Sequence, residues 1–290
     1  MEKQKKAYLF AGIAVFFWST VASAFKIALR HFDFLQLLFF ASLTSIVILF
    51  FILLFQNKLN ILITFSYKDY LRSAFLGFLN PFLFYVVLLK AYSILPAQVA
   101  QPLNMTWPIV LVFLSIPLLK QKITLKSIIA LFISFIGVFF ISSQGNISNF
   151  KLNNPFGIFL ALGSTIIWSL FWIFNVKDKR DEVVKLFLNF IFAIPFIFIA
   201  TSLFSKIIIP DFTSLLTVIY VGAFEMGITF VFWLKALKLS KSTDKISILI
   251  FLAPFFSLIP IHFIVGEEIY FTTIVGLIII VLGIFIQQFR

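Results

Sequence analysis

The chain contains no cysteine and only two histidines, His31 and His262. Disulfide and thiolate chemistry are therefore excluded, and two histidines so far apart form no recognisable metal-ligand motif. Charge is also scarce, at 12% of residues, where a soluble domain carries about a quarter. Hydrophobic residues make up 62% of the chain, 43 Phe among them, and the mean hydropathy is +1.11. A soluble fold of 290 residues could not keep so much apolar surface out of water. This composition specifies an all-α integral membrane protein whose surroundings are the lipid bilayer.

The net charge of +12 does not point to nucleic acid. The lysines sit in short clusters between apolar runs and leave no extended basic face. Spanning helices need roughly 20 mostly apolar residues, and ten runs qualify, at about 7–29, 34–55, 70–91, 97–119, 126–143, 156–176, 185–205, 212–235, 243–265 and 271–289. Helices are expected because each backbone amide must pair within its own segment. The opening "MEKQKK", its apolar stretch and "ASA" at 22–24 fit a cleavable secretory signal. The stretch is long for a signal, however, and Trp18-Ser19 recurs later in the chain, so it reads as the first span. Basic residues crowd on alternate connections, leaving only Lys26, Arg30, Lys90, Lys151 and Lys206 on the opposite side. That bias places both termini in the cytoplasm.

The two halves resemble each other. "GFLNPFLFYVVLLKAY" (77–92) aligns with "GAFEMGITFVFWLKAL" (222–237), matching Gly77 to Gly222, Lys90 to Lys235 and Ala91 to Ala236. Pro108 matches Pro254, Gln121 matches Glu267, "FIGVFF" (135–140) matches "VLGIFI" (281–286), and "FFWS" (16–19) matches "IIWS" (166–169). Any one match is weak in apolar sequence, but their common order is not. The pattern divides the chain into repeats at 1–146 and 147–290. An odd number of helices per repeat inserts the second copy upside down, an arrangement found in transporters that open alternately to each side.

These residues also carry a family resemblance. "FFWSTVASAFKIAL" resembles the first-helix pattern of the EamA family in the drug/metabolite transporter superfamily, and "LKAYSILPAQVAQPLNMTWPI" its third-to-fourth helix passage. "LKALKLSKSTDKISILIFLAPFFSLIPIHFIVGEEIY" followed by "GLIIIVLGIF" is similar to the second-repeat passage. The resemblance implies ten transmembrane helices arranged as two inverted five-helix repeats around a central cavity, in a carrier of small organic metabolites. Two positions depart from the pattern. Ser42 falls near the family's second-helix Arg, and "KQKI" stands where Gly-Glu is expected in the first repeat.

Glu225 lies near the middle of the apolar run from Phe212 to Leu234. An ionised carboxylate there costs roughly 2.5–3.5 kcal/mol on insertion scales, so it should face a wet cavity, pair with a cation or carry a proton. The bland alternative is a helix–helix hydrogen bond. One α-helical turn on lies Thr229, and the repeat-equivalent position is Asn80. Gln98, Gln101 and Asn104 recur every three residues, forming a polar stripe next to Pro102 and Pro108, which remove amide donors. Interhelical amide bonds would account for the same stripe. Trp18, Trp107, Trp168, Trp172, Trp233 and Tyr85 complete the candidate substrate-binding set, because aromatic walls around a carboxylate attract a cationic amine. Interfacial belts account for most membrane Trp taken singly. Glu267 and Glu268 read as loop or packing residues, and Lys26 and Lys90 as cations that snorkel to the interface or meet a cargo carboxylate on its way through.

Together these features point to a secondary transporter of a small amino acid-like or amine-bearing metabolite. It is expected to be an exporter of a bacterial inner membrane, with Glu225 holding the cargo's ammonium group or carrying a coupled proton. No cofactor or metal is expected. An enzyme is disfavoured, since the chain has no Cys–His pair, no clustered acids at metal-ligand spacing and no phosphate-cradling Gly loop. A lipid or lipid-headgroup translocator of the same fold is the alternative. A closed midplane pocket favours a small metabolite, whereas a lateral gap favours lipid.

Overall fold

A computed structural model describes residues 2–119, 125–146, 154–240 and 248–288 of the chain. Lys120, Gln121, Lys122, Lys151, Lys241, Lys245 and Arg290, and the junction after residue 146, lie outside the described residues. Among the described residues, seven helices are long and apolar enough to cross a membrane: α1 (Glu2–Ala28), α2 (Phe34–Phe55), α3 (Tyr67–Ile94), α4 (Ala97–Leu118), α6 (Pro155–Asn175), α7 (Glu182–Phe204) and α8 (Phe212–Ala236). Three shorter apolar helices there are α5 (Ile128–Ser142), α9 (Ala253–Val265) and α10 (Phe271–Ile286).

Short polar residues start several of these helices. Asp33 accepts from the Leu35 and Gln36 amides, Asp181 from Val183 and Val184, and Asp211 from Ser214. Each satisfies amides that would otherwise have no partner at a helix end. Asn154 does the same for Gly157, ahead of Pro155 in the first turn, where a missing amide hydrogen costs nothing. Outward faces are apolar, with Phe132, Phe159 and Phe204 among the exposed side chains.

Three long helices are broken inside. In α3 a π-turn at Phe78–Leu83 holds Asn80 in an extended conformation (φ −151°, ψ 120°) before Pro81. In α8 the equivalent π-turn is Gly222–Gly227. In α4 the helix stops at Asn104 and restarts at Trp107. Of the run expected from 243 to 265, residues 243–247 lie outside the described residues, and the rest is a 3-10 turn at Ile248–Leu252 followed by α9.

Helix contacts occur in exchange pairs. The equivalent helices α2 and α7 pack together, as do α5 and α10. The α1–α8 contact has its counterpart in α6–α3, and α1–α9 in α6–α4. The α3 break packs on α7 as the α8 break packs on α2. Glycines permit the closest of these approaches. A Cβ at Gly77 would collide with the Asn189 carbonyl oxygen, and one at Gly222 with that of Ala41. Gly137 and Gly276 abut each other's carbonyls in the same way. Such reciprocity is what a two-fold exchange of the halves produces.

Candidate functional site: an aromatic chamber with one carboxylate

Between α1, α3, α4, α6 and α8 lies a chamber of about 80 Å³. Space for one water-sized probe is roughly 10–15 Å³, so the chamber holds several waters or a very small solute. Its lining includes all 5 tryptophans of the chain: Trp18, Trp107, Trp168, Trp172 and Trp233. Four of the tryptophan rings, all but Trp107, are joined in one set through Phe230, which meets Trp168 at 5.9 Å. Trp18 meets Trp233 at 5.3 Å and Phe230 at 5.8 Å between ring centroids, and Trp168 meets Phe84 at 4.6 Å and Trp172 at 5.8 Å.

Among the described residues, Glu225 is the one charged group in this lining. Its Oε1 accepts a 2.9 Å hydrogen bond from the hydroxyl of fully buried Tyr85, and the Trp18 indole lies within reach of the same carboxylate. Gln101 and Asn104 line the chamber as well. Asn104 Nδ2 donates to Ser164 Oγ at 2.8 Å, while buried Gln101 Oε1 and Trp172 Nε1 have no partner among the described residues.

Four of the expected residues lie outside the lining: Thr229, Gln98, Asn80 and Tyr85. Thr229 is fully buried outside the lining, and its hydroxyl donates to the Phe224 carbonyl. The cause is the π-turn, which adds a residue to the turn and rotates the helix beyond it. Five residues on from Glu225, Phe230 takes the place expected for Thr229. Gln98 is committed to the connection between α9 and α10. Its Nε2 donates to Glu268 O at 2.5 Å, and its Oε1 accepts from Tyr270 N at 2.9 Å and Thr273 Oγ1 at 3.2 Å. Asn80, in the extended residue of the α3 break, is buried but absent from the lining. Tyr85 is also absent from it and reaches the site only through its bond to Glu225, while Tyr92 is the polar side chain that α3 adds to the lining. The chamber also takes in residues beyond the expected set. Val21 and Phe25 follow Trp18 at helical spacing, and Phe84, Leu88 and Tyr92 recur every four residues. Those periodicities are visible in the sequence, but Phe230 is hidden by the register shift.

Polar ties cross both ends of the chamber. At one end Lys26 Nζ donates to the carbonyls of Tyr92 and Leu95 at 3.0 Å each, capping α3 instead of snorkelling. The Glu267 carboxylate accepts from the Ala97 and Gln98 amides at 2.8 and 3.2 Å, capping α4. At the other end Trp172 separates the chamber from a cavity of about 10 Å³ lined in part by Asn175, Glu182 and Lys185. Beyond it, buried Asp178 pairs with Arg180 at 2.6 Å, and Arg180 donates to the Asp69 carbonyl at 3.0 Å. Lys185 pairs with Glu182 at 2.6 Å, and Lys58 with Asp181 at 2.7 Å. Burial pushes the Asp178 carboxyl up, yet hydrogen bonds from Arg180 and the charge of Lys185 hold it below the usual carboxylate range. Asp181 is likewise pushed up by burial and pulled below that range by Lys58 and the amides it caps.

An apolar groove of about 530 Å³ lies between α1 and α9, lined by residues including Gly12, Phe16, Leu252 and Phe256. It shares no lining residue with the chamber.

Two stretches, residues 5–143 and 155–287, each match the family model of the EamA-like transporter family. An uncharacterized transporter of Clostridium kluyveri is 24% identical over 174 residues, covering 57% of this chain and 55% of the relative. One from Archaeoglobus fulgidus is 25% identical over 175 residues, covering 58% and 60%. The chain thus spans little more than half the length of these curated relatives. A crystal structure of a protein superposes with a TM-score of 0.69 at 17% identity, covering 98% of this chain and 96% of the other, a likeness of fold. Two matches to one transporter model, on a bundle of apolar helices, make this a multi-pass membrane protein, and the chain belongs to the EamA-like transporter family.

Proposed function

We propose that the protein is a secondary transporter of a small amino acid-like or amine-bearing metabolite, working as an exporter by alternating access. Its ten apolar helices would form two inverted five-helix repeats, residues 1–146 and 147–290. The exchange pairs among the helices support that division, because two similar halves related by a two-fold can trade conformations. Cytoplasmic termini are proposed from the distribution of basic residues, and a bacterial inner membrane from the family resemblance and the Phe, Ile and Lys bias of the sequence.

The observation that carries the function is the placement of Glu225. Among the described residues it is the one acid in a chamber walled by every tryptophan of the chain, at depths where an unpaired carboxylate is costly. A cargo ammonium would be attracted both by the carboxylate and by the ring faces. Protonation of the same group would release the cargo, which provides a route to proton coupling. A metabolite fits the chamber better than a lipid does, because the lipid-facing groove is separate from it. In proteoliposomes, labelled amine-bearing metabolites should exchange across the membrane, and Glu225→Gln should abolish the exchange. Transport of amine-free cargo, unchanged by Glu225→Gln, would overturn the proposal.

A further inference from the structure

The geometry points to a cargo that is an organic monocation, an amine without a carboxylate, instead of a zwitterionic amino acid. This rests on the proposed role of the chamber as the cargo site and narrows the substrate class of that site. Among the described residues, the lining holds one anion, Glu225, and no Lys, Arg or His. The neighbouring cations are already committed: Lys26 to the carbonyls of Tyr92 and Leu95, Lys185 to Glu182 and the Asp178 carbonyl. A cargo carboxylate would enter a carboxylate-bearing aromatic box with no opposite charge, and burying an unpaired anion is strongly unfavourable. A cargo ammonium finds three complementary features. It meets the Glu225 charge, the tryptophan faces and Gln101 Oε1, an acceptor on a residue 3% exposed, with no donor among the described residues. Buried Trp172 Nε1–H has no partner among the described residues; like the neutral donors on Gln101, Asn104 and Tyr92, it suits a hydroxyl or carbonyl on the cargo and is too weak to balance a full negative charge.

Because all 5 tryptophans line the chamber, intrinsic tryptophan fluorescence of the purified full chain reports on occupancy directly. Two matched series of small probes serve: isobutylamine, valine and isovalerate, and ethylamine, alanine and propionate. Each amine is expected to bind at least about tenfold more tightly than its amino acid, with no binding of the acids. Glu225→Gln should remove the advantage. If that variant does not fold, Gln101→Leu should weaken the amines by about tenfold, the loss of one hydrogen bond to a charged group. Amino acids binding as tightly as the amines would overturn the inference while leaving an amino acid-like transporter standing. Binding by the acids alone, or by no probe of either series, would overturn both.

Discussion

Tyr85→Phe isolates the bond on which Glu225 depends. The substitution keeps the ring and removes only the hydroxyl that donates to Glu225 Oε1 at 2.9 Å. Tyr85 is 0% exposed, so bulk water does not replace the missing donor. A hydrogen bond to a charged group contributes about 1.5–3 kcal/mol, against about 0.5–1.5 kcal/mol for a neutral pair. With an ionised Glu225, Tyr85→Phe should therefore cost about 1.5–3 kcal/mol. In a Glu225→Gln background the same change should cost only about 1 kcal/mol. The assay is equilibrium unfolding in mixed detergent micelles for the four proteins of the double-mutant cycle. The expected coupling is about 0.5–2 kcal/mol. Glu225→Gln alone should be neutral or stabilising, since it relieves the desolvation of a buried charge. Coupling inside the additivity error of about 0.3–0.5 kcal/mol would refute the placement of the hydroxyl on the carboxylate.

Thr229→Val should lower stability by about 1 kcal/mol through the lost bond to the Phe224 carbonyl, while amine binding stays unchanged; altered binding would return Thr229 to the chamber. Gly222→Ala drives a methyl group into the Ala41 carbonyl and should cost about 1–3 kcal/mol, as overpacking does, read as a lowered melting temperature. Asp178→Ala leaves Arg180 buried without its carboxylate and should cost about 3–5 kcal/mol. The folded Asp178 carboxyl sits below its unfolded range, so its contribution is present above the unfolded pKa. It fades as pH falls through the depressed value. Hydrogen exchange at residues 177–181, corrected for intrinsic rates, should therefore accelerate only in strong acid.

How far the site was legible in the sequence varies by residue. Trp18, Trp107, Trp168, Trp172, Gln101, Asn104 and Glu225 were each conspicuous as polar or aromatic residues in apolar runs, and all seven meet at one chamber. Gln98 shares the stripe of Gln101 and Asn104, but it stands about 9 Å below Asn104 along an ideal helix axis. There the amide meets the α9–α10 connection instead. Glu267 and Lys26 gave no sign in the sequence of which helix ends they cap, because their partners lie 170 and 66 residues away.

By itself the sequence determined the membrane environment, the helical class and the internal repetition. Hydropathy is a local sum, and similarity between halves needs no knowledge of contacts. Only the tertiary structure decided which residues face the chamber. Helical periodicity assumes an unbroken register, and the π-turn in α8 rotates everything after Glu225, exchanging Thr229 for Phe230. Whether a buried acid is paired or left open to a cargo is likewise a matter of distance between helices, which no single segment contains.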